Sequence, residues 1–202
     1  TVPTFRQDLR CMNDLAEEIA RINGYDEIEA TLPKVTAGIG GITYEESINR
    51  MAQNIMEENG FSQGMTYSFE SPKVFDKLLI PADDNIRNAI TISNPLGEDF
   101  SIMRTLPLNG LLTSLSTNFN RRNKNVKLYE MAKVYLPKAL PLTELPDEKV
   151  RLAAGFYGEG DFFTMKGVVE ELFAHMNIKD MEFEPTSSYP FLHPGRQAAI
   201  KK

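Results

Sequence analysis

The sequence predicts an α+β fold, an antiparallel sheet with helices packed on one face. Three observations carry that expectation. Leu108, Leu111, Leu112, Leu115 and Phe119 recur at helical spacing, so one stripe of a helix faces a core. Immediately afterwards the period changes to two: Val126, Leu128, Ala132 and Val134 alternate, and so do Val150, Leu152, Ala154 and Phe156. These two runs read as the arms of one long hairpin. Further stripes at helical spacing, Ile48 to Met56 and Met165 to Met176, fall between the extended segments.

Composition narrows the class. The chain has 202 residues, 42% hydrophobic and 25% charged, enough for one large domain or one domain plus a fragment of another. A net charge of −6 argues against a broad phosphate-binding surface and leaves room only for a local basic patch. Cys11 is the sole cysteine, which excludes an internal disulfide and a cysteine metal cluster. No apolar run approaches the roughly 20 residues that span a bilayer. No secretory leader opens the chain, so the expected location is the cytoplasm, with no membrane partner.

Taken in order, Asp14 to Asn23 reads as a short helix with Leu15, Ile19 and Ile22 on one stripe, ended by Gly24. Thr31-Leu32-Pro33 and the glycine-rich TAGIGGI read as a linker, with a boundary between Pro33 and Thr43. Thr43 and Glu46 have capping-box spacing and start the next helix, whose stripe is Ile48, Met51, Ala52, Ile55 and Met56. Phe61, Met65, Tyr67 and Phe69 suggest a strand. Ser71-Pro72 starts a short helix carrying Val74, Phe75, Leu78 and Leu79, and Ile80 to Asn88 reads as a polar surface loop. Ile90 to Ile92 and Phe100 to Arg104 read as short extended runs. Pro107 suits a first helical turn, and Asn120 to Asn125 close that helix. Three prolines place 137–149 in a loop between the hairpin arms. After the last helix, Met181 to Glu184 and Ala198 to Ile200 are short extended runs.

NPLGEDFSIMRTLPLNGLLTSLSTN followed by KLYEMAKVY resembles the beta subunit of bacterial phenylalanyl-tRNA synthetase. The likeness continues through RQDLRCMNDLAEEIARINGYDEIEATLP, DFFTMKGVVEELF and FLHPGRQAAI. It implies a class II aminoacyl-tRNA-synthetase-like fold. Residues 1–33 are then the C-terminal end of a B5-like domain, and 34–202 a catalytic-like core cut short at its C-terminus. That beta subunit is much longer, so the chain is expected to be an excised middle piece.

Four carboxylates deserve weighing. Asp14, Glu17 and Glu18 share a helix face at i, i+3, i+4, and their mutual repulsion costs roughly 0.2–0.5 kcal/mol per pair unless a cation reverses it. Magnesium takes one or two carboxylates and keeps its waters. On the residues alone, a solvated helix start paired with Arg21 is the better reading. The resemblance, however, implies magnesium ligands at Asp8, Asp14, Glu17 and Glu18, shared with the alpha subunit.

No catalytic residue is expected. Class II synthetases hold the ATP α-phosphate with an arginine of a second signature motif, a role that suits a planar, always-charged guanidinium. The matching run here is Tyr129 to Tyr135, followed by Leu136-Pro137-Lys138, and no arginine stands where the motif needs one. No Walker-type run offers another nucleotide site. Glu130 falls on the apolar face of its strand, so it is paired, at a strand end, or facing a cleft; a structural or interface role is favoured over a base. His175 reads as a surface residue. His193, in the HPGR loop, reads as a residue bonded to backbone, and two histidines with one cysteine make zinc unlikely. Arg121, Arg122, Lys124 and Lys127 read as a solvated helix end.

The resemblance therefore implies a non-catalytic scaffold, inactive alone, within a phenylalanine–tRNA ligase. There the alpha subunit binds ATP, makes phenylalanyl-adenylate and charges tRNA(Phe). A second alpha–beta pair completes a heterotetramer, and tRNA(Phe) is held mainly by other domains. The Met51, Met56, Met65 and Tyr67 side chains could supply interface surface, or equally core. A regulatory amino-acid-binding module and an active enzyme with misassigned catalytic groups are the rivals.

Overall fold

A computed structural model describes all residues from Thr1 to Lys202. It divides into two compact units, Thr1–Gly41 and Ile42–Lys202.

The first unit contains one α-helix, α1 (Met12–Asn23), and a 3-10 turn, Tyr25–Glu27. The helix starts two residues before the expected Asp14, because Asp14 sits at its third position and caps it. The Asp14 carboxylate accepts from the Cys11 and Arg10 backbone N–H groups at 2.7 and 2.6 Å. The expected Leu15, Ile19 and Ile22 stripe exists but lies exposed in this chain.

The second unit begins with α2 (Tyr44–Glu58), where the predicted capping box forms: Thr43 Oγ1 accepts from Glu46 N–H, and Glu46 accepts from Thr43 N–H. Ala52, Ile55 and Met56 are buried, and Met51 is exposed. The expected strand at 61–69 breaks into β1 (Ser62–Gln63) and β2 (Phe69–Glu70). Its middle leaves the ladder because the Thr66 N–H donates to the Glu130 side chain instead of to a neighbouring strand.

Next come α3 (Val74–Lys77), β3 (Ile102–Met103), α4 (Leu108–Asn120), β4 (Val126–Leu136), β5 (Asp147–Tyr157), α5 (Phe162–His175), β6 (Glu182–Pro185) and β7 (Ala198–Lys201). The chain turns sharply after α3, with Leu79 at φ 54°, so Leu79 is exposed and Ile80 takes its place in the core. The 80–88 segment is therefore not wholly a polar surface loop. Ile80 is buried, Ile86 packs on the same cluster, and the Arg87 guanidinium donates to the Ile80 and Pro81 carbonyls. Ile90 to Ile92 is not a strand but a single bridge, Thr91 to Ile102. The α4 stripe is narrower than its periodicity suggests: Leu111 is buried, while Leu112 and Phe119 are exposed.

Three small sheets replace the single antiparallel sheet. They run β1-β4-β5, β2-β3 and β6-β7, and β1 is parallel to β4. The β4–β5 hairpin is longer than expected: Asp147, Glu148 and Lys149, placed in the 137–149 loop from the sequence, pair with Leu136, Tyr135 and Val134, because backbone bonding continues beyond the apolar alternation that starts at Val150. Helices also cover both of its faces. Met56 and Phe61, with Val168 of α5, pack on the Tyr129 face; Leu111 and Leu115 of α4 lie against Gly155 on the Glu130 face. Alternation in β4 is blurred for that reason, since Tyr129, Glu130, Ala132 and Val134 are all buried. No helix is long and apolar enough to cross a membrane.

Candidate functional site

The centre of the second unit is an ion pair. Glu130, fifth residue of β4, is 3% exposed, and Arg104, just after β3, is 5% exposed. Backbone bonding fixes Arg104: its N–H donates to Ser68 and its carbonyl accepts from Tyr135, which ties the β2 end to β4. Its Nη1 then donates to Glu130 Oε1 at 2.9 Å, and its Nε to the Lys133 carbonyl at 2.7 Å. Thr66 completes the set, its N–H donating to Oε1 at 3.1 Å and its hydroxyl to Oε2 at 2.9 Å. Gly110, in the first turns of α4, makes the closure possible. A Cβ there would lie 2.2 Å from Thr66 Oγ1.

Chemically this arrangement is self-contained. An isolated charge in such a place would cost several kcal/mol, and here each charge has the other plus hydrogen bonds. The guanidinium that could have met a phosphate faces a carboxylate. Of the three possibilities left open for Glu130, pairing is the one found. Arg104 itself escaped the sequence reading, although a lone cation between Ile102 and Leu106 was a signal of the same kind as the lone Glu130.

Next to this pair, Glu70 of β2 is buried and borders an open cavity of about 550 Å³. Burial pushes its carboxyl up to about 7; the Asn109 side chain and Arg104 oppose that rise, and Glu130 adds to it. On the opposite face of β4, Tyr129 is fully buried and its hydroxyl donates to Glu57 at 2.8 Å. Burial, and then this bond, raise it to about 12. Neither residue was singled out from the sequence.

The four carboxylates expected to hold magnesium do not converge. Arg6 pairs with Asp8 at 2.7 Å and with Glu18 at 3.0 Å, and Arg21 also pairs with Glu18. Arg6 first, and then Arg21, hold the Glu18 carboxyl down at about 2. Asp14 is spent on the α1 cap, and these bonds keep its carboxyl low. So arranged, the residues do not fit a cation, since guanidinium and N–H groups already occupy the oxygens. No group of three or more His, Cys, Asp or Glu side chains in the chain is placed to hold a metal.

The remaining candidates resolve simply. His175 is exposed, with Nδ1 3.0 Å from the Glu171 carbonyl, and His193 Nδ1 accepts from the Gly195 N–H at 3.1 Å. Lys127 leaves the basic cluster, since its ammonium lies over the Phe61 ring and donates to the Asn59 carbonyl.

Comparison with known proteins adds identity to this geometry. Residues 28–202 match the family described as phenylalanyl tRNA synthetase beta chain CLM domain. The phenylalanine–tRNA ligase beta subunit of Clostridium tetani is 42% identical over 99% of this chain and 25% of its own length. That of Clostridium acetobutylicum is 40% identical over 98% of this chain and 25% of its own length. The chain thus spans about a quarter of these relatives. Among solved structures, a pyrrolysyl-tRNA synthetase from Desulfitobacterium hafniense superposes with a TM-score of 0.60 at 16% identity, over 79% of this chain and 55% of its own. A structure of PylSc from the same organism gives 0.55 at 15% identity, over 72% and 49%. At such identities the likeness concerns the fold alone.

Proposed function

The chain belongs to the phenylalanyl-tRNA synthetase beta-chain family, and we propose that it is the non-catalytic structural core of such a subunit. Its fold is of the class II synthetase kind, and it packs on an alpha subunit that binds ATP, forms phenylalanyl-adenylate and charges tRNA(Phe). The assembly is a cytoplasmic heterotetramer of two alpha–beta pairs, with tRNA(Phe) held mainly by other domains. One observation carries the reading: the buried arginine and glutamate of the core, Arg104 and Glu130, neutralise each other, so neither is free for a phosphate or a proton.

The test is light scattering on a sizing column, first with this chain alone and then mixed with the matching alpha subunit. A stable mixed peak is expected. Failure of a demonstrably folded chain to associate overturns the scaffold role for these residues. The chain alone is expected to show no amino-acid-dependent exchange of pyrophosphate into ATP; exchange would make it an enzyme in its own right.

Magnesium at Asp8, Asp14, Glu17 and Glu18 belongs to this proposal in a narrower form. The ion binds only in the assembled enzyme, where Arg6 has turned away and the partner completes the site. Magnesium titrated into the chain alone is expected to give no heat of binding. Glu17, which makes none of the ion pairs described, is the carboxylate such a site would use first.

A further inference from the structure

The cavity beside Glu70 is unclaimed by the scaffold role, and its chemistry is specific. It is lined by one buried carboxylate, Glu70, by Asn109, whose side chain bonds that carboxylate, and by Thr113. Its wall is aromatic: Tyr67 and Phe100 meet edge to face at 5.8 Å, and Phe69 stands beside them. The nearest cation, Arg104, forms its ion pair with Glu130 and only eases the Glu70 charge at a distance. Arg104 spends Nη1 on Glu130 and Nε on the Lys133 carbonyl. An ionised Glu70 is therefore a buried charge bonded to the Asn109 side chain but paired with no cation, a costly state that a bound cation relieves.

We propose that this cavity binds a primary ammonium group on an apolar stem. Three N–H donors match the Glu70 carboxylate, the Asn109 side-chain oxygen and the Thr113 hydroxyl. Tyr67, Phe69 and Phe100 line the same cavity, so cation–π attraction to an aromatic ring adds to the ion pair. The same site disfavours a free amino acid. An α-carboxylate would enter next to Glu70 and Glu130 with Arg104 already neutralised. The cavity is thus selective for a monoamine or for a lysine side chain, and this holds whether or not the chain acts as a scaffold.

The experiment is NMR titration of the chain with n-butylammonium, and with butyrate as the like-sized anion. Saturable binding of the amine alone is expected. Because the charged groups facing Glu70 are Arg104 and Glu130, already paired, uptake follows Glu70 ionisation and is about tenfold weaker near pH 6 than near pH 8. Glu70→Gln is expected to remove that pH dependence and weaken binding at least about tenfold near pH 8, while melting no lower than the parent. No amine binding, equal binding of butyrate, or an unchanged affinity in Glu70→Gln overturns the proposal. A capped lysine amide separates the sources of the ammonium. Tighter binding than n-butylammonium assigns the site to a polypeptide side chain, and equal or weaker binding assigns it to a free amine; both support the site.

Discussion

Two arginine–carboxylate pairs in this molecule have nearly the same geometry and opposite meaning. Arg6 meets Glu18 at 3.0 Å with side chains 30% and 22% exposed, and Arg104 meets Glu130 at 2.9 Å with side chains 6% and 4% exposed. In the first, water competes for every hydrogen bond and salt screens the attraction, so the pair is exchangeable. In the second, neither partner can return to water without unfolding its surroundings, so each exists because of the other. Distance alone therefore says little about what a pair does. Burial decides whether it is a surface ornament of α1 or the keystone between β3 and β4.

The comparison breaks most visibly at Glu130. Glu130→Ala leaves Arg104 buried and unpaired and is expected to cost about 3–5 kcal/mol in urea unfolding. Replacing both partners together, Arg104→Met with Glu130→Leu, is expected to recover most of that loss, because no charge is stranded. A double substitution as unstable as the single one would mean that Thr66 and the Lys133 carbonyl, not the charges, are the main cost.

Glu70 sharpens the same point with a sign that can be checked by pH. Its carboxyl titrates at about 7 in the fold against an ordinary 4.5, so the folded chain keeps a proton that the unfolded chain has lost. Stability consequently falls as pH rises from about 4.5 to about 7 and stays low above. Glu70→Gln is expected to be more stable than the parent by about 3 kcal/mol near pH 8, with no difference near pH 4, measured by thermal melts across pH.

Tyr129→Phe removes a buried hydroxyl but leaves the ring, and is expected to cost about 1 kcal/mol in the same unfolding measurement. Arg6→Ala stands at the small end. The melting midpoint is expected to stay where it is, while the Glu18 carboxyl rises from about 2 towards its ordinary value in an NMR titration, with Arg21 retaining part of the depression. A lowered midpoint in Arg6→Ala would show that the exposed pair carries more of the first unit than its exposure suggests.

Much of this was readable in the sequence, and the reason is range. A capping box is a contact between Thr43 and Glu46, and a helical stripe or a two-residue alternation is set within one or two turns. Thus α2, α5 and the β4–β5 hairpin were located from periodicity, and the motif string identified the family without any geometry. What tertiary structure alone decided depends on residues far apart in the chain. Glu130 finds Arg104 twenty-six residues before it and Thr66 sixty-four before it. Because Thr66 turns its N–H to that carboxylate, the expected strand at 61–69 divides. Because helices lie on both faces of β4, its alternation no longer marks an inside and an outside. The four acidic residues near α1 show the converse. Their spacing is local and was read correctly, but which partner each carboxylate takes is settled by where Arg6 folds back, and a periodic pattern carries no information about that.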